Sequence, residues 1–262
     1  MGWIPIYDSW ALVPAHPRAV IHFLGGAFIA AAPQVTYTRL LEACADAELA
    51  VVATPFINTF DHADLARQCL QEFERVQARL EHQRLLPPSL PVFGLGHSMG
   101  SKLHLLIGSL FPVQRLGNAL MAFNNFSARR SIPFFSQLAP ALEVDAEFTP
   151  TPARTLRLIE EHYGVAANLL VRFRTDDLDQ SRDLAQRLCD RFPDSTDLLR
   201  LPGTHLTPMG QSVQLQSGFD LLDQLGQAFN REVYRDLDRL QESLLDWLED
   251  RLDARMPILP AQ

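Results

Sequence analysis

Two apolar runs in Leu90 to Phe111, LPVFGLGHSMGSKLHLLIGSLF, are separated by the polar turn Gly96-His97-Ser98-Met99-Gly100, and few folds accommodate that pattern. Val92 to Leu95 reads as a buried strand and Lys102 to Leu110 as part of a helix, so the segment is strand, sharp turn, helix. In a G-x-S-x-G turn the serine takes a strained backbone conformation, and the flanking glycines keep strand and helix from colliding with it. The hydroxyl of Ser98 is thereby lifted above a sheet at the start of a helix. The Met99 N–H is then placed to stabilise a developing oxyanion. The alternative is a small-residue turn used only for packing.

The rest of the chain repeats this rhythm. Ala19 to Leu24, Ala50 to Phe56, the run from Asn118 (NALMAFNNF), Asn168 to Phe173 and Thr196 to Leu201 are short apolar segments separated by amphipathic stretches. Continuous apolar strands alternating with helices predict an α/β fold, with a mostly parallel sheet covered by helices on both faces. At 262 residues, a single domain spanning 1–262 is expected. Residues 127–163, rich in Pro, Phe and Ser, interrupt the alternation and read as an inserted lid, with Phe123, Phe126, Phe134 and Phe135 roofing an apolar pocket. In REVYRDLDRLQESLLDWLEDRLD, Val233, Leu237, Leu240, Leu244 and Leu248 share one helical face, which predicts a docked terminal helix.

Composition narrows the function. A net charge of -8 and a pI near 5.4 exclude a nucleic-acid partner, which would require a basic surface. Cys44, Cys69 and Cys189 are odd in number and widely spaced, so neither a disulfide framework nor a zinc site is suggested and a reducing compartment fits. No basic-then-apolar leader opens the chain and no run is long enough to span a bilayer, so a cytoplasmic protein without a transmembrane segment is expected. Gly2 follows Met1, but Ile6 stands where a myristoylation signal has Ser or Thr. The oligomeric state is left open.

A serine nucleophile needs a base, and the base a carboxylate. His205 follows the last expected strand in LLRLPGTHLTP, in a loop at the same sheet edge as Ser98, whereas His162 falls within an expected helix. The loop RTDDLDQS after Asn168 to Phe173 offers Asp176, Asp177 and Asp179. Asp176 is preferred, three residues beyond the strand end, with Asp179 and Asp177 as alternatives. A second oxyanion donor is expected from Gly26 or Ala27, where Gly25 and Gly26 let the backbone turn close to a substrate; a plain glycine turn is the other reading. His97 is read as packing or shaping the pocket. Lys102, in an S-x-x-x-K spacing, reads as a structural ion pair, and His22 and His104 as interior histidines.

With this order of elements the chain resembles the α/β-hydrolase superfamily from about Ala19 to Asp253. More narrowly, HFLGGAF, GLGHSMGSKLHLLI, AFNNFSARRSIPFF, EFTPTPARTL and DDLDQS resemble an uncharacterised domain-of-unknown-function family of cyanobacteria and plastids. Two positions depart from the superfamily pattern: Leu24 replaces the histidine of a His-Gly-Gly loop, and Phe173 replaces a glycine at the acid loop. The expected function is a serine hydrolase acting on an ester or thioester with an apolar part, a small-molecule substrate with an apolar acyl or alcohol portion, needing no cofactor and no metal. An acyltransferase, or a non-catalytic binding protein that keeps the turn as fold, are the alternatives.

Overall fold

The computed structural model describes residues 1–27, 30–127, 147–210 and 223–255, the side chains of 223–233 and 255 excepted. Its eight strands are β1 (Ile4–Ile6), β2 (Ser9–Leu12), β3 (Ala19–Leu24), β4 (Leu49–Ala53), β5 (Val92–His97), β6 (Gly117–Met121), β7 (Asn168–Phe173) and β8 (Thr196–Leu201). They form one sheet in the order β1-β2-β4-β3-β5-β6-β7-β8. All pairings from β4 through β8 are parallel; β1 with β2 and β2 with β4 are antiparallel. The N-terminal hairpin has no counterpart in the sequence reading, because strands of three and four residues are too short to show a period.

The helices are α1 (Pro33–Thr36), α2 (Thr38–Asp46), α3 (His62–His82), α4 (Met99–Leu110), α5 (Pro152–His162), α6 (Ser181–Arg191) and α7 (Asp223–Arg255). Each long one carries an apolar stripe that decides its seat. Leu40, Leu41 and Cys44 of α2 and Leu237, Leu240, Leu244 and Leu248 of α7 cover one sheet face, against Phe23, Val51, Phe93 and Val171. On the opposite face, α3 and α4 meet through Leu65, Cys69, Leu103 and Leu106, while α5 and α6 add Ile159, Leu184 and Leu188. The sheet is thus covered on both faces, as the apolar strand runs predict.

Of the segment 127–163, residues 128–146, and with them Phe134 and Phe135, lie outside the described residues. The described remainder carries α5, started by Thr151 accepting from Arg154 N–H and by Pro152 at its first position. Phe123 differs from its expected place in a roof. Strand β6 ends at Met121, Ala122 turns the chain with φ 50°, and Phe123 is buried among Leu105, Ile159 and Leu184.

His22 and His104 are fully buried, as expected, beside Arg115. Arg115 Nη2 donates to His22 Nδ1 at 2.9 Å, and His104 Nε2 donates to the Leu95 carbonyl at 3.2 Å. Burial first, and the Arg115 charge second, hold both imidazoles well below their usual range, hence neutral.

Candidate active site

Strand order places the site. The chain leaves β3 toward β4 on one side, and β5 lies on the other, so the carboxyl ends of β3 and β5 border a crevice at the point where the winding direction changes. Gly25 to Ala27 follow β3 and Ser98 follows β5. Ser98 has φ 54° and ψ -113°, a strained conformation for a residue with a Cβ. The fit around it is close. A Cβ on Gly100 would lie 1.9 Å from the Leu24 carbonyl oxygen, and one on Gly96 2.6 Å from the Ser101 nitrogen. The Gly100 N–H donates to the Gly25 carbonyl at 3.0 Å, which ties the helix start to the glycine loop.

Parallel pairing of β7 and β8 brings the next two loops side by side. They are fastened by Thr175, whose N–H and hydroxyl both donate to the Gly203 carbonyl, at 3.1 and 2.6 Å. Gly203 has φ 113°, and a Cβ there would meet Thr207 Oγ1 at 2.3 Å, so the turn requires glycine. The result is a bond of 2.8 Å between His205 Nδ1 and Asp176 Oδ2, with the Asp176 side chain fully enclosed. Asp176 Oδ1 accepts from Leu178 N–H at 3.0 Å. Asp177 is exposed. Asp179 accepts from the Ser181 N–H and hydroxyl at the start of α6 and lies 3.7 Å from Arg172. Burial raises the Asp179 carboxyl above its ordinary value, against the opposing pull of Ser181.

Ser98 and His205 share a sheet edge but form no hydrogen bond among the described residues. Ser98 Oγ instead accepts from Asn124 Nδ2 at 3.0 Å. Asn124 went unread in the sequence; a polar pair, Asn124-Asn125, closing an apolar strand run was the available signal. Of the two candidate loop amides, Gly26 N–H already donates to Tyr37 Oη at 2.8 Å, which leaves Ala27 N–H as the one without an acceptor among the described residues. Met99 N–H likewise has none there. His97 is fully buried between Tyr37 and the His205 carbonyl. Lys102 is 2% exposed and pairs with no carboxylate among the described residues. Its Nζ lies 5.5 Å from the centre of the Phe148 ring, and burial pulls its ammonium down to about 7. The structural ion pair expected from sequence is therefore absent among those residues.

The mostly parallel sheet covered on both faces, with the serine turn between β5 and α4, is an α/β-hydrolase-like fold, and several solved structures are similar to this chain in fold. A sugar hydrolase (YeeB) from Lactococcus lactis is 16% identical, with 97% of this chain and 98% of that one covered and a TM-score of 0.59. TT1662 from Thermus thermophilus is 16% identical over 94% of both chains with a TM-score of 0.56. FphF, a fluorophosphonate-binding serine hydrolase of Staphylococcus aureus, is 16% identical, covers 87% of this chain and 91% of its own, and has a TM-score of 0.54. Residues 2–250 match the family described as protein of unknown function DUF1350, and the chain belongs to that family. No curated protein matches it. Among the described residues, no helix is long and apolar enough to cross a membrane.

Proposed function

We propose that this chain is a serine hydrolase of esters or thioesters that carry an apolar part. The observation that carries this reading is the 2.8 Å bond between Asp176 and His205 Nδ1, made on loops beside the strained Ser98. Asp176 accepts the Nδ1 hydrogen and leaves Nε2 free to act as base. Oγ exchanges its bond to Asn124 for one to Nε2, attacks the carbonyl carbon, and passes its proton to the imidazole. The former carbonyl oxygen, now an oxyanion, takes hydrogen bonds from the Ala27 and Met99 N–H groups. Collapse expels the alcohol or thiol with the proton from Nε2, and the acyl-serine is released by water. FphF, a fluorophosphonate-binding serine hydrolase of similar fold, supports the choice of probe.

A fluorophosphonate should modify the wild type and spare Ser98→Ala, both proteins remaining folded by circular dichroism. Asp176→Asn should slow the reaction by several orders of magnitude, about 10⁴ where a triad aspartate was changed to asparagine in a chymotrypsin-type enzyme, whereas Asp179→Asn acts on stability. Equal labelling of wild type and Ser98→Ala would leave the turn as fold alone and favour a binding protein.

A further inference from the structure

The reaction proposed above makes no use of a buried chain of hydrogen bonds that runs behind the serine turn. Gly26 N–H donates to Tyr37 Oη at 2.8 Å, Tyr37 Oη lies 2.8 Å from His97 Nδ1, and His97 Nε2 lies 2.8 Å from the His205 carbonyl oxygen. Tyr37 and His97 are both shut off from solvent.

The chemistry of the two ends determines every proton. A carbonyl oxygen only accepts, so His97 Nε2 carries a hydrogen. Burial, and secondarily His205, push the His97 imidazole down to about 3, so it is neutral and has a single N–H. Nδ1 is therefore an acceptor. Tyr37 must donate to it, and the phenol oxygen is left to accept from Gly26. Reversing any one link would set two donors or two acceptors face to face in a dry interior, a cost comparable to an unmade buried hydrogen bond at each end.

The chain spans three pieces of the site. One end is the amide of Gly26, next to the Ala27 N–H assigned to the oxyanion. The middle is the residue preceding Ser98. The far end is the backbone of His205, whose ring is held from the other side by Asp176. Packing reinforces the arrangement. The Tyr37 ring lies edge-on to Phe23, with centroids 4.7 Å apart, and a Cβ on Gly25 would come within 2.9 Å of Tyr37 Cε2, so the glycine loop closes directly on this ring.

We infer that Tyr37 and His97 are positioning residues that set the oxyanion loop and the base loop in one frame relative to Ser98. The inference rests on the serine-hydrolase reading for its effect on rate, but the coupling of the two loops does not. A ring present only for packing would tolerate Tyr37→Phe, which keeps shape and removes one hydroxyl.

His97 can be replaced so that each link breaks alone. Asn places an oxygen where Nδ1 was, keeping the acceptor for Tyr37 and losing the donor to His205. Gln places an N–H₂ where Nε2 was, keeping the donor and losing the acceptor. Fluorophosphonate labelling rates should fall about tenfold or more in Tyr37→Phe, measured below its melting midpoint. Tyr37→Phe removes the bonds to Gly26 and to His97 together, so adding it to His97→Gln or to His97→Asn should slow labelling by clearly less than it does in the wild type, because either His97 change has already broken the frame. Wild-type labelling by Tyr37→Phe, or full multiplication on either His97 variant, overturns the inference. An unlabelled wild type would sink the hydrolase reading instead. Amide NMR spectra decide the coupling in that case: Tyr37→Phe should displace the resonances of Gly26 and Ala27 together with those of His205 and Leu206. Displacement confined to residues 26 and 27 would show two unconnected loops.

Discussion

Lys102 shows at the scale of one residue how an interior resists charge. The ammonium is enclosed without a carboxylate among the described residues, and burial lowers it from an ordinary 10.5 to about 7. A base depressed in the folded state carries its full penalty below the folded value and sheds it as pH rises toward the unfolded one. The penalty is thus complete below about pH 7 and nearly gone by 10.5. It amounts to up to about 5 kcal/mol, at 1.36 kcal/mol per unit. Lys102→Met, similar in volume and uncharged, should raise the melting temperature at pH 6, by up to about 10 °C for a chain of this size. The gain should shrink steadily by pH 9.5, as read by calorimetry at both values. A pH-independent change would mean that packing with Phe148, not charge, sets the effect. At this same scale much of the site was hidden in the sequence. Tyr37 and His97 are 60 residues apart, and His97 and His205 are 108 apart, so no local spacing announces the bonds between them.

The element that governs the site is α4, whose first turn abuts the end of β3. Local sterics made this legible, since a serine flanked at two places by glycine has few uses other than a tight strand-to-helix turn. Gly100 is the sharper test because its missing Cβ would collide with backbone. Leu24 O lies 1.9 Å and Gly25 O 2.7 Å from that point, and neither can swing aside as a side chain would. Gly100→Ala should push the start of α4 away from β3 and break the Gly100 N–H bond to Gly25. Overpacking of this kind costs about 1–3 kcal/mol, which corresponds to a melting temperature lower by roughly 2–12 °C in thermal denaturation. Fluorophosphonate labelling should fall more than stability does, because the glycine loop moves with the helix. Unchanged labelling would show that α4 and the loop after β3 adjust independently.

Across the whole molecule, several apolar side chains on segments that follow strands of the parallel sheet stay exposed. Val35 follows β3, Ile57 and Phe60 follow β4, and Leu206 follows β8, and all four are exposed. Under the proposed ester-hydrolase reading, apolar side chains left exposed on such loops would serve an apolar acyl chain. Esters of p-nitrophenol with medium or longer acyl chains should therefore be cleaved with higher kcat/KM than the acetate. Each buried methylene can add up to about 0.8 kcal/mol, so several should raise the ratio by more than about tenfold. A flat or falling profile in an enzyme that still labels would assign those residues to packing and the substrate to a small or polar class.

The sequence by itself determined the alternation of apolar strands and amphipathic helices, the turn at Ser98 and the terminal helix, because these depend on periodicity and on sterics within a few residues. Phe173 likewise marked the strand end from which the acid loop is counted. It left three aspartates and two amides open. Only tertiary structure decided that Asp176, and neither Asp177 nor Asp179, reaches His205 Nδ1. The same holds for Gly26, whose N–H is engaged by Tyr37. The physical reason is the sheet order: β7 beside β8 aligns two loops for a bond across 29 residues, and β3 beside β5 sets the glycine loop against the serine turn. Contacts of that kind follow from how strands pair across the molecule, and no window along the chain contains both partners.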